Sequence, residues 1–277
     1  MTNLFNYLPR KSPVHALTGA TKLAALLLLS FAAMTTFDTR LLAAIMVLAF
    51  ICFPFSHIRL REVKVMLWMT FVFMVLNNVL IYLFAPEQGV EIYGTRHVLL
   101  TVTARYTVTK EQLFYHLNVV LKYLATIPLV ILFVSTTDPS EFAASLNRIG
   151  VSYKISYAVA LALRYIPDIQ REYHDISLAM QARGVEMTSR EKLSRRIKNA
   201  ALILFPLILT SMQKIDTVSN AMELRSFGKG RRRTWYRAKP FRGADYAVMI
   251  GCALVLGVSI ALNFVNHGRF YNPFIGI

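Results

Sequence analysis

Twenty residues, Val65 to Phe84, pass without a single charged side chain. A helix needs about that many to cross a hydrocarbon core roughly 30 Å thick. In lipid only helices and closed barrels satisfy their own backbone groups, so such a run constrains the fold more than any motif. Tyr246–Phe264 is a second run, interrupted only by Gly251 and Gly257. Leu113–Ser135 is a third, less pure because it carries Lys122 and His116, the latter read as a polar residue facing a bundle. Leu23–Thr36 and Leu41–Phe55 form a close pair about a polar turn at Asp38 and Arg40. Both are short and are expected to borrow flanking residues or thin the bilayer. The expected fold is an all-α polytopic membrane protein with five transmembrane helices. Arg10 and Lys11 precede the first run and no small-residue cleavage site follows, so a signal peptide is not expected.

Charge decides the orientation expected of those helices. The chain holds 31 Lys and Arg against 15 Asp and Glu, an excess that a nucleic-acid binder would also show. Here it is distributed by side. With five spans, 25 of the 31 basic residues fall on one side, 19 of them between Thr136 and Gly243. The positive-inside rule then puts the N-terminus in the cytoplasm and the C-terminus outside. Residues 1–135 are read as transmembrane helices 1–4 with an external loop at 85–112, residues 136–243 as a cytoplasmic domain, and 244–277 as the last span and external C-terminus. Within the loop, Thr101–Thr109 alternates β-branched residues and suggests a small strand or hairpin.

The cytoplasmic segment carries its own helix punctuation. Asp138, Pro139 and Glu141 open a short helix that Gly150 stops. Ser152 caps a second, running to Arg183 with Gly184 at the left-handed position beyond it. Thr188 to Glu191 forms a capping box for a third, reaching about Phe227 with Gly228 to stop it. Pro167 and Pro206 should bend the two long helices, each roughly 45–60 Å in length. Their apolar stretches, Ile155–Pro167 and Ala200–Met212, are too short to span. The first also contains Arg164, costly in lipid. These stretches are expected to lie at or below the membrane face and to present Ile155, Val159, Leu161, Leu163, Leu202, Leu204, Leu207 and Leu209 to a partner or lipid.

Both long helices end alike. Ala179-Met-Gln-Ala-Arg183-Gly184 and Ala221-Met-Glu-Leu-Arg225-Ser226 lie 42 residues apart. A lone arginine there can simply face the helix macrodipole, worth about 0.3–1 kcal/mol. A repeated one, beside a small residue, also suits bidentate pairing with carboxylates in a partner's groove.

Several chemistries are missing. The only Gly-Lys pair, Gly228-Lys229, has Glu223 where a nucleotide-binding loop needs its first glycine, so ATP hydrolysis is expected in partner subunits. The six histidines include no pair at i, i+4, and Cys52 and Cys252 both sit in apolar runs, so neither a metal site nor a disulfide is expected. No cofactor is expected. The uninterrupted spans lack carboxylates of the kind that couple ions.

The paired arginine motifs resemble the Ala-Arg-Gly signatures of the transmembrane (T) components of energy-coupling factor transporters. The stretches "YLPRKSPVHALTGATK", "STTDPSEFAASLNRIG", "LALRYIPDIQREY" and "MELRSFGKGRRRTWY" are similar to the same family, so the resemblance covers nearly the whole chain. It implies a membrane scaffold bound to two ABC ATPases and to a separate substrate-binding membrane protein, the S component, which carries a vitamin or metal ion. It also implies that the two long helices cross, with their ends seated in the ATPases. Carried onto this chain, the coupling role falls to Ala182, Arg183 and Gly184 and to Leu224, Arg225 and Ser226. The S-component contact falls to the apolar face named above. The second motif departs from the signature at Leu224 and Ser226, leaving Gly228 as the glycine available for a left-handed turn.

Two other readings compete. A permease subunit of a conventional ABC importer would line the substrate path itself but presents one coupling helix, not two. A membrane-tethered nucleic-acid or anionic-lipid binder would use the run from Lys229 to Arg233 with Trp235 and Tyr236, although basic and aromatic residues gather before spans in any case.

Overall fold

The computed structural model describes residues 10, 12–101, 106–185, 193–230, 234–235, 239–266 and 268–274. The helices are α1 (Pro13–Ala16), α2 (Gly19–Thr35), α3 (Thr39–Phe55), α4 (Leu60–Phe84), α5 (Gln88–Tyr93), α6 (Lys110–Thr136), α7 (Pro139–Arg148), α8 (Tyr153–Ala182), α9 (Leu193–Leu224) and α10 (Gly243–Val265). One antiparallel pair, β1 (Val98–Thr101) with β2 (Thr107–Thr109), falls where the alternating stretch begins and ends. The chain divides into two compact units, residues 2–138 with 239–277, and residues 139–238.

In the first unit, α2, α3, α6 and α10 share one apolar core. Leu29, Ala32, Leu42, Ile45, Ala125 and Cys252 meet there. Alanines at the contact let these backbones approach closely, as membrane helices need in the absence of a hydrophobic drive between them. The short pair does borrow its flanks. Both α2 and α3 reach 17 residues, with Lys22 drawn into α2. Its buried ammonium donates to the Thr136 carbonyl (2.8 Å) at the C-terminus of α6, where a positive charge suits the helix dipole.

Polar links mark the two ends of this bundle. At one end Asp245, the N3 residue of α10, accepts from the Thr18 N–H and the Thr21 hydroxyl, both at 2.8 Å. Arg10 pairs with Glu62 in the first turn of α4 (2.6 Å). At the other end Asn266 donates to Asp38 (3.0 Å), the Thr39 hydroxyl to Asn118 (2.7 Å), and Phe37 stacks on Phe270. Gln112 there accepts from Gly89 N–H (2.7 Å), and α5 lies so close to α6 that a Cβ on Gly89 would come within 2.6 Å of the Gln112 backbone. Helices α2, α3, α4, α6 and α10 therefore alternate in direction. His116 faces the bundle as expected, 2.9 Å from Asn78 on α4.

Among the described residues four helical stretches are long and apolar enough to cross a membrane: α4, α6, α10 and residues Ile197–Leu224 of α9; α2 and α3 are shorter apolar helices. Only Val63 of α4 is buried within the chain, and much of its apolar surface, Trp68, Phe71, Val72 and Val75 included, is exposed.

In the second unit α7 packs on α8, and α8 on α9. Both long helices continue through their prolines, Pro167 and Pro206. The capping box at 188–191 lies outside the described residues.

Candidate functional site

Helix α8 stops because Gly184 is left-handed (φ 85°), a conformation that ends the i→i−4 ladder and returns two donors to the last carbonyls. Gly184 N–H donates to the Gln181 carbonyl (2.9 Å) and Val185 N–H to that of Met180 (3.0 Å). Arg183 is the C-cap, and Gln181, Ala182, Arg183 and Gly184 are all exposed.

Helix α9 ends in the same geometry. Ser226 N–H donates to Glu223 (2.9 Å) and Phe227 N–H to Met222 (2.9 Å). Residue for residue, Met222 to Phe227 repeats Met180 to Val185, with Arg225 at the C-cap and exposed. One expectation is corrected. The left-handed turn does not wait for Gly228: Ser226 adopts φ 54° itself, and Gly228 (φ 91°) adds a second such residue. The six-to-one bond from Phe227, whose ring is anchored, over-determines the serine's conformation at a cost of about 1–2 kcal/mol.

The anchoring comes from the start of α8. Phe227 lies 4.7 Å from Tyr157 and 5.7 Å from Tyr153, centroid to centroid, and Trp235 donates to Asn147 (3.1 Å). Further along, Lys214 donates to Glu172 (2.7 Å), which holds the Glu172 carboxyl below the usual carboxylate range. The two helices thus run antiparallel. Between them lies an apolar groove of about 420 Å³, lined by Leu161, Tyr165 and Ile169 on one side and Ile215, Val218 and Met222 on the other. Phe227, two residues past Arg225, sits against Tyr157, and Arg183 lies 26 residues farther along α8. At 1.5 Å per residue the two arginine ends are separated by about 40 Å.

The apolar face expected for a membrane partner is only partly present. Ile155, Leu202, Leu204 and Leu209 are exposed, and Val159 and Leu163 are half-buried. Leu207 is buried, and Leu161 faces the groove against α9, so both pack within the chain. Phe205, Ile208 and Met212 of α9 are exposed and belong on that face instead. Their helical spacing from Leu209 was the signal that could have found them. Among the described residues no three His, Cys, Asp or Glu side chains converge to hold a metal.

The family model described as CbiQ, cobalt transport protein, matches residues 10–236, which include both arginine ends. The chain belongs to the CbiQ family. The energy-coupling factor transporter transmembrane protein EcfT of Heliobacterium modesticaldum is 30% identical over 267 residues, covering 94% of this chain and 95% of its own length. The protein of that name from Listeria innocua is 30% identical over 145 residues, and there the match spans about half of each chain. A stretch of 138 residues is 30% identical to part of a Bifidobacterium longum protein named as an ABC transporter ATP-binding protein, covering 47% of this chain and 18% of that one. This CbiQ-family chain is a multi-pass transmembrane component of a transporter of the energy-coupling factor type.

Proposed function

We propose that the chain couples ATP hydrolysis in two cytoplasmic ABC ATPases to a separate membrane-embedded S component that carries a vitamin or metal ion. The observation that carries this reading is the repeated cap: one geometry, two exposed arginines, about 40 Å apart. Such a spacing suits two separate acidic grooves, one on each ATPase. The Bifidobacterium longum match supports the partnership, since a stretch like this one lies in a longer protein named for ATP binding. The exposed apolar residues of α9, with Leu202, Leu204 and Leu209 among them, suit the S component.

A conventional permease is the competing reading, and it would require α9 to line a path through the bilayer. Parity argues against that. The 139–238 unit leaves the bundle at the end where Lys22 meets Thr136, and it returns there, where Lys239 donates to the His15 carbonyl and Asp245 accepts from the Thr18 N–H. It must therefore cross the membrane an even number of times. Helix α8, with Arg164, Asp168, Arg171 and Glu172 in its middle, is not span material, so α9 alone cannot be. The excess of basic residues supports a cytoplasmic position for this unit, with the N-terminus inside and the C-terminus outside. Single cysteines at Ser194 and Lys229, both exposed, should then react with an impermeant thiol reagent only in opened cells. Labelling of either in intact cells would overturn the topology.

The decisive test is substrate uptake by reconstituted complexes, with ATPase retention measured in parallel. Arg183→Ala and Arg225→Ala should each weaken one docking site by about 1.5–3 kcal/mol, or roughly one to two orders of magnitude in affinity. The double variant should lose uptake while remaining folded and inserted. Lysine should rescue poorly, because an ammonium lacks the forked geometry. Full uptake by the double variant would return both arginines to capping helix dipoles.

A further inference from the structure

A second feature lies far from the arginine ends. Helices α3, α4 and α6 enclose an apolar cleft of about 600 Å³, within the range of ligand pockets. Its walls include Phe53, Ile58, Leu60, Leu67, Met74 and Ile127. From Leu60 to Met74 it follows α4 for 14 residues, about 21 Å, which is somewhat more than one leaflet of hydrocarbon. The cleft is open to the outside of the bundle along α4, the helix with the least buried surface.

The chain segment that borders one end of the cleft is charged. Arg59, Arg61 and Lys64 stand in and just before the first turn of α4, immediately beside Ile58 and Leu60. All three are exposed, and their side chains make no ion pair among the described residues. Glu62, which lies among them in sequence, pairs with Arg10. Three exposed cations in the segment that borders one end of an apolar slot about one leaflet deep complement one chemistry, an anion joined to a hydrocarbon chain.

We propose that this cleft is a binding site for an anionic glycerophospholipid. An acyl chain fills the slot between α3, α4 and α6, and the phosphate headgroup sits on Arg59, Arg61 and Lys64. A membrane protein whose long span is otherwise bare toward lipid would gain a fixed annular neighbour at the end where the 139–238 unit is attached.

The test uses the full chain purified in detergent and examined by native mass spectrometry. Phosphatidylglycerol and phosphatidylcholine with identical acyl chains are the probes. Wild type should retain phosphatidylglycerol on the order of tenfold to a hundredfold more tightly, since each basic residue near an anionic surface contributes about a factor of five. The triple variant Arg59→Gln, Arg61→Gln, Lys64→Gln should keep binding but lose the headgroup preference. Leu67→Trp, which fills the slot, should lose both lipids. If that variant does not fold, the triple variant, confined to exposed positions, still decides. Equal retention of the two lipids by wild type overturns the proposal, as does an unchanged preference in the triple variant. A photoreactive residue at Met74 should crosslink to lipid in native membranes; a crosslink to another polypeptide's helix instead would also overturn it.

Discussion

The two arginine ends share a backbone and differ in everything around it. The end of α8 projects Ala182, Arg183 and Gly184 from a glycine-terminated helix, with no aromatic ring against it among the described residues. The end of α9 projects Leu224, 88% exposed, with Arg225 and a serine in a conformation serine dislikes, and it is pinned by Phe227 to Tyr153 and Tyr157. Cap geometry is thus reached by two routes. At α8 the residue permits it, and at α9 tertiary contact enforces it. The lesson is that a motif can lose its glycine and keep its shape where the next residue has something to hold.

That contrast can be broken at its anchor. Phe227→Ala removes two ring contacts and part of a buried surface, about 2–3 kcal/mol in total. Hydrogen exchange should speed at residues 222–226 and remain unchanged at 180–184. Equal protection at both ends would mean that Ser226 holds its turn unaided. A smaller effect should come from exchanging the turn residues. Gly184→Ala should destabilise α8's end by about 1–2 kcal/mol, because alanine resists φ 85°. Ser226→Gly should stabilise α9's end by up to about 1 kcal/mol, less the extra entropy glycine brings to the unfolded chain. Opposite signs in the two melting shifts sharpen the comparison, whereas matching signs would remove it.

The smallest effect concerns the link between the two helices. Lys214 donates to Glu172 and depresses its pKa, so the pair stabilises the fold above the ordinary carboxylate pKa and is lost as pH falls through the depressed value. Because Lys214 is about half exposed, solvent screens the pair and its contribution is the smallest of the three. Glu172→Gln should remove that acid-dependent part of the melting profile. The profile above pH 6 should keep its slope.

Much of the architecture was legible because lipid imposes a simple alphabet. Val65–Phe84 and Tyr246–Phe264 appear as helices α4 and α10 with only a few residues added, since hydrocarbon length alone sets them. Gly150, Ser152 and Gly184 punctuate the chain where local backbone preference dictates. What local rules could not reach was decided across the chain. Ser226 turns because Phe227 is held by tyrosines 70 or more residues away. Leu161 and Leu207 leave the outward face because antiparallel pairing and burial claim them, which composition cannot distinguish from exposure to a partner. Helix α9 reads as a span by length and apolarity, and what argues otherwise is the position of both chain connections together with the charge on α8 and the basic excess of the unit.

The bond from Thr18 to Asp245 joins residues 227 positions apart, and it has a consequence for biogenesis. Ribosomes add about 5–20 residues per second, so α2 waits roughly 11–45 s for the helix that completes it. Through that interval Thr18 and Thr21 lack the carboxylate they bind in the finished bundle, while the whole 139–238 unit is synthesised and exits the ribosome. An early helix of the bundle is therefore closed by one made much later, and the newborn bundle stays open along one seam until α10 emerges.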